Sequence, residues 1–259
     1  MVILSEAQMQ VWENAGWLHL TEFFPDPEIL KRWTVELEDL PDQPGRWMRY
    51  YETSQMDDRR LPSRIECFLD HHDGWSSLVR QGPLQAVVEQ LMGESSVIFK
   101  EKINFKHPGG GGFRGHQDAP AFGMFGQTYH ISAMISIDDT TTENGCLEMA
   151  YGSHRSGLLE AREDGTLSDA SIHRLIWTPC PTKAGDVVLF GSHLAHRSGP
   201  NPTTGPRRAA YITYNPASEG DHRQAYFEEK RRVFPPEVER VAGRTYPSGP
   251  FNIGNPIDG

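Results

Sequence analysis

Apolar and polar positions change their period near residue 96. Before that point the spacing is mostly helical. Ser5-x-x-Gln8 carries a capping-box signature, with Met9 and Trp12 following at helical intervals. Asp26-Pro27 reads as an N-cap with proline at the first helical position. Ile29, Leu30, Trp33, Leu37 and Leu40 then make an apolar stripe that ends at Pro41 to Gly45. Pro83 to Met92 repeats the pattern, with Leu84, Val87, Val88 and Leu91 on one side and Gly93 as the stop. Trp17 to Leu20 predicts a short strand, Arg46 to Glu52 an extended segment, and Arg64 to Phe68 an edge segment.

From Ser96 onward the period is two. Lys100, Lys102 and Asn104 alternate with Glu101, Ile103 and Phe105, so the two sets belong to opposite faces of one strand. Tyr129 to Ile137, Cys146 to Met149, Val187 to Phe190 and Arg207 to Tyr214 predict further strands. Asp138 to Gly145 and Gly152-Ser153-His154 predict turns. Ser156 to Ser171 is a polar excursion, and the Pro- and Gly-rich stretch from Pro235 to Gly259 predicts a surface wrap. Short strands behind a helical segment predict a mainly β fold, a sandwich or cupin-like jelly roll flanked by N-terminal helices. No shift in composition marks a boundary. The expectation is therefore one domain over 1–259: helical flank and substrate lid over 1–95, jelly-roll core over 96–215, C-terminal wrap over 216–259.

Composition narrows the function. An apolar share of 37% supplies a core, which excludes a disordered chain. Twenty-five Lys and Arg against 35 Asp and Glu give a formal charge of -10, and no basic run is long enough to track a phosphate backbone. Neither nucleic acid nor an anionic membrane surface is an expected partner. Cys67, Cys146 and Cys180 are scattered and form no CxxC pair, which suits a reducing compartment. With no leader-like N-terminus and no long apolar run, a cytoplasmic location is expected. Nothing in the sequence signals an oligomeric state.

Chemistry concentrates at Gly109 to Asp118, a glycine run leading into His116-Gln117-Asp118. On a strand, His116 and Asp118 would face the same side and reach one ion together. Gly109 to Gly112 is no phosphate loop, because no helix with Lys-Ser/Thr follows it. A surface hydrogen-bonded pair is the plain alternative. His196 stands out as a third ligand: it follows the Val187 to Phe190 strand and precedes a turn-rich run leading to Arg207. His193 competes with it, as Arg208 competes with Arg207. Two histidines and one carboxylate leave open positions on a metal, the arrangement of non-haem Fe(II) oxygenases. A guanidinium near such a site can hold a dicarboxylate. His154 is read as a turn residue and His107 as a structural one.

These segments resemble the phytanoyl-CoA dioxygenase family of Fe(II)/2-oxoglutarate oxygenases. The resemblance rests on His116-Gln117-Asp118, Asn144-Gly145-Cys146-Leu147 to Gly152-Ser153-His154, Gly185-Asp186-Val187-Val188-Leu189-Phe190 and His196-Arg197-Ser198-Gly199-Pro200-Asn201 with Arg207. It implies a double-stranded β-helix, metal ligands His116, Asp118 and His196, and Fe(II), 2-oxoglutarate and O2 as cofactor and cosubstrates. It also implies that Arg207, aided by Ser198, binds the far carboxylate of 2-oxoglutarate, with Lys102, Asn104, Phe113 and Phe122 as further cosubstrate contacts. The presence of Asp118 favours hydroxylation over halogenation. Beyond the shared motifs, Lys100 to Lys106, His116 to Phe122 and Arg207 to Asn215 resemble the subgroup that contains 2-aminoethylphosphonate dioxygenase. That resemblance implies a small-molecule substrate hydroxylated at the carbon next to phosphorus. Candidate substrate contacts are Lys100, Arg49, Tyr50, Arg64, Glu66 and His130, with Glu101 and Lys106 also in reach. The alternatives are a hydroxylase of an amino acid, an ectoine-like molecule or a secondary-metabolite acid, a zinc hydrolase, and a non-catalytic cupin-like binding protein.

Overall fold

The computed structural model describes residues 3–80, 82–246 and 249–253. Helix α1 (Glu6–Ala15) begins with the expected capping box: Gln8 N donates to Ser5 Oγ, and Ser5 N to the Gln8 side chain. It stops at Gly16, whose φ of 84° suits a residue without Cβ; a Cβ there would also strike the His154 ring at 2.3 Å. His154 thus packs on the end of α1, with Nε2 3.3 Å from Glu13 O. Helix α2 (Pro27–Glu38) buries Leu30, Thr34 and Leu37, but the Asp26 side chain makes no capping hydrogen bond, contrary to expectation. Helices α3 (Asp73–Arg80) and α4 (Pro83–Met92) complete the N-terminal flank.

The strands are β1 (Trp17–Leu20), β2 (Met48–Thr53), β3 (Arg60–Glu66), β4 (Ser96–Lys106), β5 (Phe113–His116), β6 (Ile131–Ser136), β7 (Leu147–Ala150), β8 (Trp177–Cys180), β9 (Val187–Gly191), β10 (His196–Ser198) and β11 (Arg207–Pro216). Seven of them form a major sheet in the order β1-β9-β6-β11-β4-β3-β2, and four a minor sheet in the order β5-β10-β7-β8. All the pairings are antiparallel.

Two cores follow from the alternation. On the inner face Met134, Val188, Phe190, Ala209 and Tyr211 of the major sheet meet Leu147, Met149 and Cys180 of the minor sheet. On the outer face Ile65, Ile103, Ile135, Val187, Ala210 and Ile212 pack beneath Trp12, Leu30, Trp75 and Val87 of the four helices. Each such large apolar side chain, fully buried, contributes about 1.5–3 kcal/mol. This is the double-stranded β-helix, with the four N-terminal helices on one face.

The regions outside 96–215 enter the fold more deeply than a lid and a wrap. β2 and β3 extend the major sheet beyond the width of the minor one. Helix α7 (Arg223–Val233), unpredicted from the sequence, buries Tyr226, Phe227 and Lys230. With Phe234, Tyr246 and Phe251 it forms a third apolar cluster against Met48, Tyr50, Phe99 and Phe122. Among the described residues no helix is long and apolar enough to cross a membrane.

Candidate metal centre and its cavity

β10 lies beside β5 with His196 directly opposite His116. The glycine run makes this approach feasible, because a Cβ at Gly112 would stand 2.7 Å from Ser198 O. The two imidazole rings lie 4.3 Å apart between centroids. β5 ends at His116, so Asp118 is not a same-face strand neighbour as the sequence suggested. It sits in a right-handed turn (φ -76°, ψ -28°) before the short helix α5 (Ala119–Phe122), and the turn returns its carboxylate toward the histidines. One ligand atom from each of His116, Asp118 and His196 lies within 4.8 Å of the others.

Both histidines are oriented from behind. His116 Nδ1 lies 2.7 Å from Arg114 O and His196 Nδ1 3.1 Å from Leu194 O, so each Nδ1 carries the proton and each Nε2 keeps a lone pair for a metal. Burial, with His196 beside it, pushes the His116 imidazole down to about 3, and burial likewise lowers His196. Burial alone would raise Asp118, but His196, Lys100 and His116 outweigh it and hold the carboxyl below its usual value. Two neutral nitrogens and a carboxylate oxygen are the donor set that suits iron(II).

The inner face of β4 carries Lys100, Lys102, Asn104 and Lys106, opposite Thr213, Tyr211, Ala209 and Arg207 of β11. At one end two cations, Lys106 and Arg207, are cross-strand partners. Arg207 is 1% exposed, and its Nε and Nη2 have no hydrogen-bond partner. Lys106 Nζ donates to Ser198 Oγ at 2.9 Å. Burial and the adjacent guanidinium hold Lys106 well below its ordinary value. Buried donors in this state call for an anion. Arg208, its rival in the sequence, faces the other way and is held by Asp138 and Glu38.

A narrow cavity of about 30 Å³ joins these features, lined by Lys100, Lys102, Asn104, Phe113, Tyr211 and Ser198 together with the three candidate ligands. Lys102 Nζ stands 5.7 Å from the Phe113 ring centre and 5.2 Å from that of Tyr211. Lys100 Nζ stands 4.1 Å above Phe122. Phe122 thus acts from beneath Lys100 rather than as a wall. His130 packs at the back, with ring centres 4.8 Å from Phe99 and 5.0 Å from Phe122, and burial lowers it to about 4.

Behind Lys100 lies a buried ionic knot. Glu66 Oε1 is 2.7 Å from Arg64 Nε and 2.7 Å from Lys230 Nζ, and Lys230 also reaches Oε2 at 2.6 Å. Burial alone would raise the Glu66 carboxyl, yet Arg64, Lys230 and Lys100 bring it down to about 2. Arg64 continues to Asn252, and its guanidinium lies over the Tyr50 ring, whose hydroxyl donates to Phe234 O. Arg49 is a correction. It faces the outer side of β2 opposite Ile65, where it donates to Leu37 O and pairs with Asp42, and it does not reach the cavity. Glu101 likewise faces outward, bound by Arg223 and Leu69 N.

Sequence reasoning missed Tyr211 and Lys230. Tyr211 was accessible, since it shares Arg207's face by period two. Lys230 depended on α7, whose polar composition gave no apolar stripe.

A jelly roll with two histidines and a carboxylate gathered at one end of its inner face defines a non-haem iron(II) oxygenase. The chain matches the profile of the phytanoyl-CoA dioxygenase (PhyH) family over residues 12–209, and it belongs to that family. It is an Fe(II)/2-oxoglutarate-dependent dioxygenase, with O2 as the second cosubstrate. It is 45% identical to a 2-aminoethylphosphonate dioxygenase from an uncultured bacterium, over 99% of this chain and 100% of that one. It is 39% identical to a methylphosphonate hydroxylase from Gimesia maris, over 93% and 91%. Among solved structures, EctD from S. alaskensis with 2-oxoglutarate and 5-hydroxyectoine superimposes with a TM-score of 0.67 at 22% identity, covering 83% of this chain and 77% of that one.

Proposed function

We propose that this dioxygenase hydroxylates a small alkylphosphonate at the carbon next to phosphorus, with 2-aminoethylphosphonate the leading candidate and succinate and CO2 as co-products. The observation that carries the reading is the pair Lys100 and Lys102. Among the described residues neither ammonium has a hydrogen-bond or ion-pair partner, and both point into the cavity beside Asp118. Two unpaired cations in a confined, partly desolvated setting are costly unless they meet an anion. A phosphonate offers two charges and three oxygens to them. Relatives named for phosphonates support the same reading.

In this reading His116, Asp118 and His196 hold iron on one face. Arg207 receives the far carboxylate of 2-oxoglutarate, with Ser198 beside it and Asn104 and Phe113 along its length. Bound iron and 2-oxoglutarate supply the oxidising chemistry that activates O2. The protein's own part is placement. Lys100 and Lys102 fix the headgroup so that the adjoining carbon faces the metal, and Phe113, Tyr211 and Phe190 limit water. His130, Arg64, Glu66 and Tyr50 act from behind the cavity wall, where Glu66 offsets and Arg64 adds to the positive charge around Lys100. With three free cysteines, the protein is read as working in the cytoplasm on a small molecule.

The test is an Fe(II)- and 2-oxoglutarate-dependent succinate-release screen over phosphonates, amino acids, ectoine-like molecules and terpenoid acids. Release stimulated by phosphonates is the expected result. Stimulation by carboxylates alone would overturn the phosphonate reading.

A further inference from the structure

The cavity offers an anion two free cations. What it offers a cation is a separate question, and the candidate substrate carries one at its other end. Among the described residues each acidic group near the cavity is already engaged; Glu52, close to Lys106, accepts from Gly111 N at 3.0 Å. Asp118 belongs to the candidate metal centre. Glu66 is held by Arg64 and Lys230 together, two positive charges on one carboxylate. Glu148, across the minor sheet, is held by Arg197 at 2.8 Å. Glu101 is on the outer face, bound by Arg223.

Among the described residues the aromatic faces are engaged as well, Phe190 by the His196 ring with centroids 4.8 Å apart. A quaternary or primary ammonium can rest on a π-face in place of a carboxylate. Here Lys100 already lies over Phe122 and, at 5.5 Å, near Tyr226. Lys102 occupies Phe113 and Tyr211, and Arg64 with Lys230 covers Tyr50. The unpartnered Nε2 of His130 is enclosed by Phe99 and Phe122 and is not part of the cavity lining. The unpartnered Asn104 Oδ1 is a neutral acceptor, unable to offset a charge.

We propose that the site recognises the phosphonate group alone, so that its substrate class is the alkylphosphonate dianion and the amine of an aminoalkylphosphonate is tolerated rather than read. This rests on the phosphonate reading above. Once the phosphonate dianion has met Lys100 and Lys102, no uncommitted carboxylate among the described residues remains for an ammonium, and the Arg64, Glu66 and Lys230 knot behind Lys100 carries a net positive charge. Like charges at such range in a confined site repel. The amine therefore contributes nothing to binding and aims toward the cavity mouth.

The test uses the enzyme loaded with Fe(II) and 2-oxoglutarate. Methylphosphonate, ethylphosphonate and 2-aminoethylphosphonate are titrated into it by calorimetry without oxygen, and their succinate release is then compared in air. The expected result is that ethylphosphonate binds and turns over at least as well as 2-aminoethylphosphonate, parity being agreement within about threefold. A preference for the amine-bearing compound beyond that margin, in both binding and turnover, overturns the inference and leaves the phosphonate reading standing. Failure of all three compounds to bind would bring down the phosphonate reading itself.

Discussion

Replacing Lys102 with methionine removes a charge while nearly keeping the volume. Its ammonium is lowered from 10.5 to about 7 by burial, with Lys100 and Arg64 adding repulsion. A drop of that size corresponds to at most about 5 kcal/mol of folding free energy at acid pH. The side chain is only partly buried and opens on the cavity, so water screens it, and about 1–3 kcal/mol is the realistic penalty. Between about pH 7 and 10.5 the unfolded chain keeps the proton that the folded one has released, so this group makes wild-type stability rise with pH. Lys102→Met lacks that slope. Urea denaturation of the metal-free protein is expected to show the variant more stable by about 1–3 kcal/mol near pH 6, with the advantage fading toward pH 10. Phosphonate affinity of the loaded enzyme is expected to fall by about 10- to 100-fold, the loss of one charge-assisted hydrogen bond. A variant less stable than wild type near pH 6, or an advantage that ignores pH, would show that the charge serves the fold rather than a ligand.

Other perturbations separate the remaining groups. His116→Ala is expected to keep the fold by circular dichroism yet lose stoichiometric iron and substrate-dependent succinate; retained turnover would remove His116 from the metal centre. Arg207→Met is expected to raise the KM for 2-oxoglutarate by about 10- to 100-fold while phosphonate affinity stays unchanged. Equal losses for both ligands would mean that the two anion positions are not separate. Glu66→Gln leaves Arg64 and Lys230 without a counter-charge and is expected to cost about 3–5 kcal/mol in denaturant unfolding. Pairing it with Lys230→Met should recover part of that, whereas simple additivity would deny the coupling. Because the Glu66 carboxyl titrates in the folded state at about 2, its contribution is full above about 4.5 and fades as pH falls toward 2. The Glu66→Gln variant should therefore show a flatter stability profile across that window.

The alternation of β4 was legible because lysines and an asparagine recur at every second position, and register with β11 then carries Lys100 to Lys106 and Arg207 inward together. The metal ligands were legible as a set, though the geometry behind them was not. Asp118 converges through a turn, and nothing in His-x-Asp distinguishes a strand from a strand end. Arg49 was misplaced because both faces of β2 carry large polar side chains, and only pairing with Ile65 says which is inner. Helix α7 escaped notice because its buried residues include Arg223 and Lys230, whose burial is purchased by ion pairs rather than by an apolar stripe.

The unequal width of the two sheets has a consequence for how such enzymes diverge. The strands that carry His116, His196 and Arg207 lie where the sheets overlap, whereas β2, β3 and α7 stand beyond that overlap and pack together behind Lys100. The candidate metal ligands and the Arg64, Glu66 and Lys230 knot thus come from separate stretches of chain. Changes at Tyr50, Arg64, Glu66, Tyr226 or Lys230 would act on the charge and packing behind Lys100 without altering the segments from 113 to 118 and 196 to 207. The electrostatic surroundings of Lys100 can therefore be varied independently of the residues that gather the metal ligands.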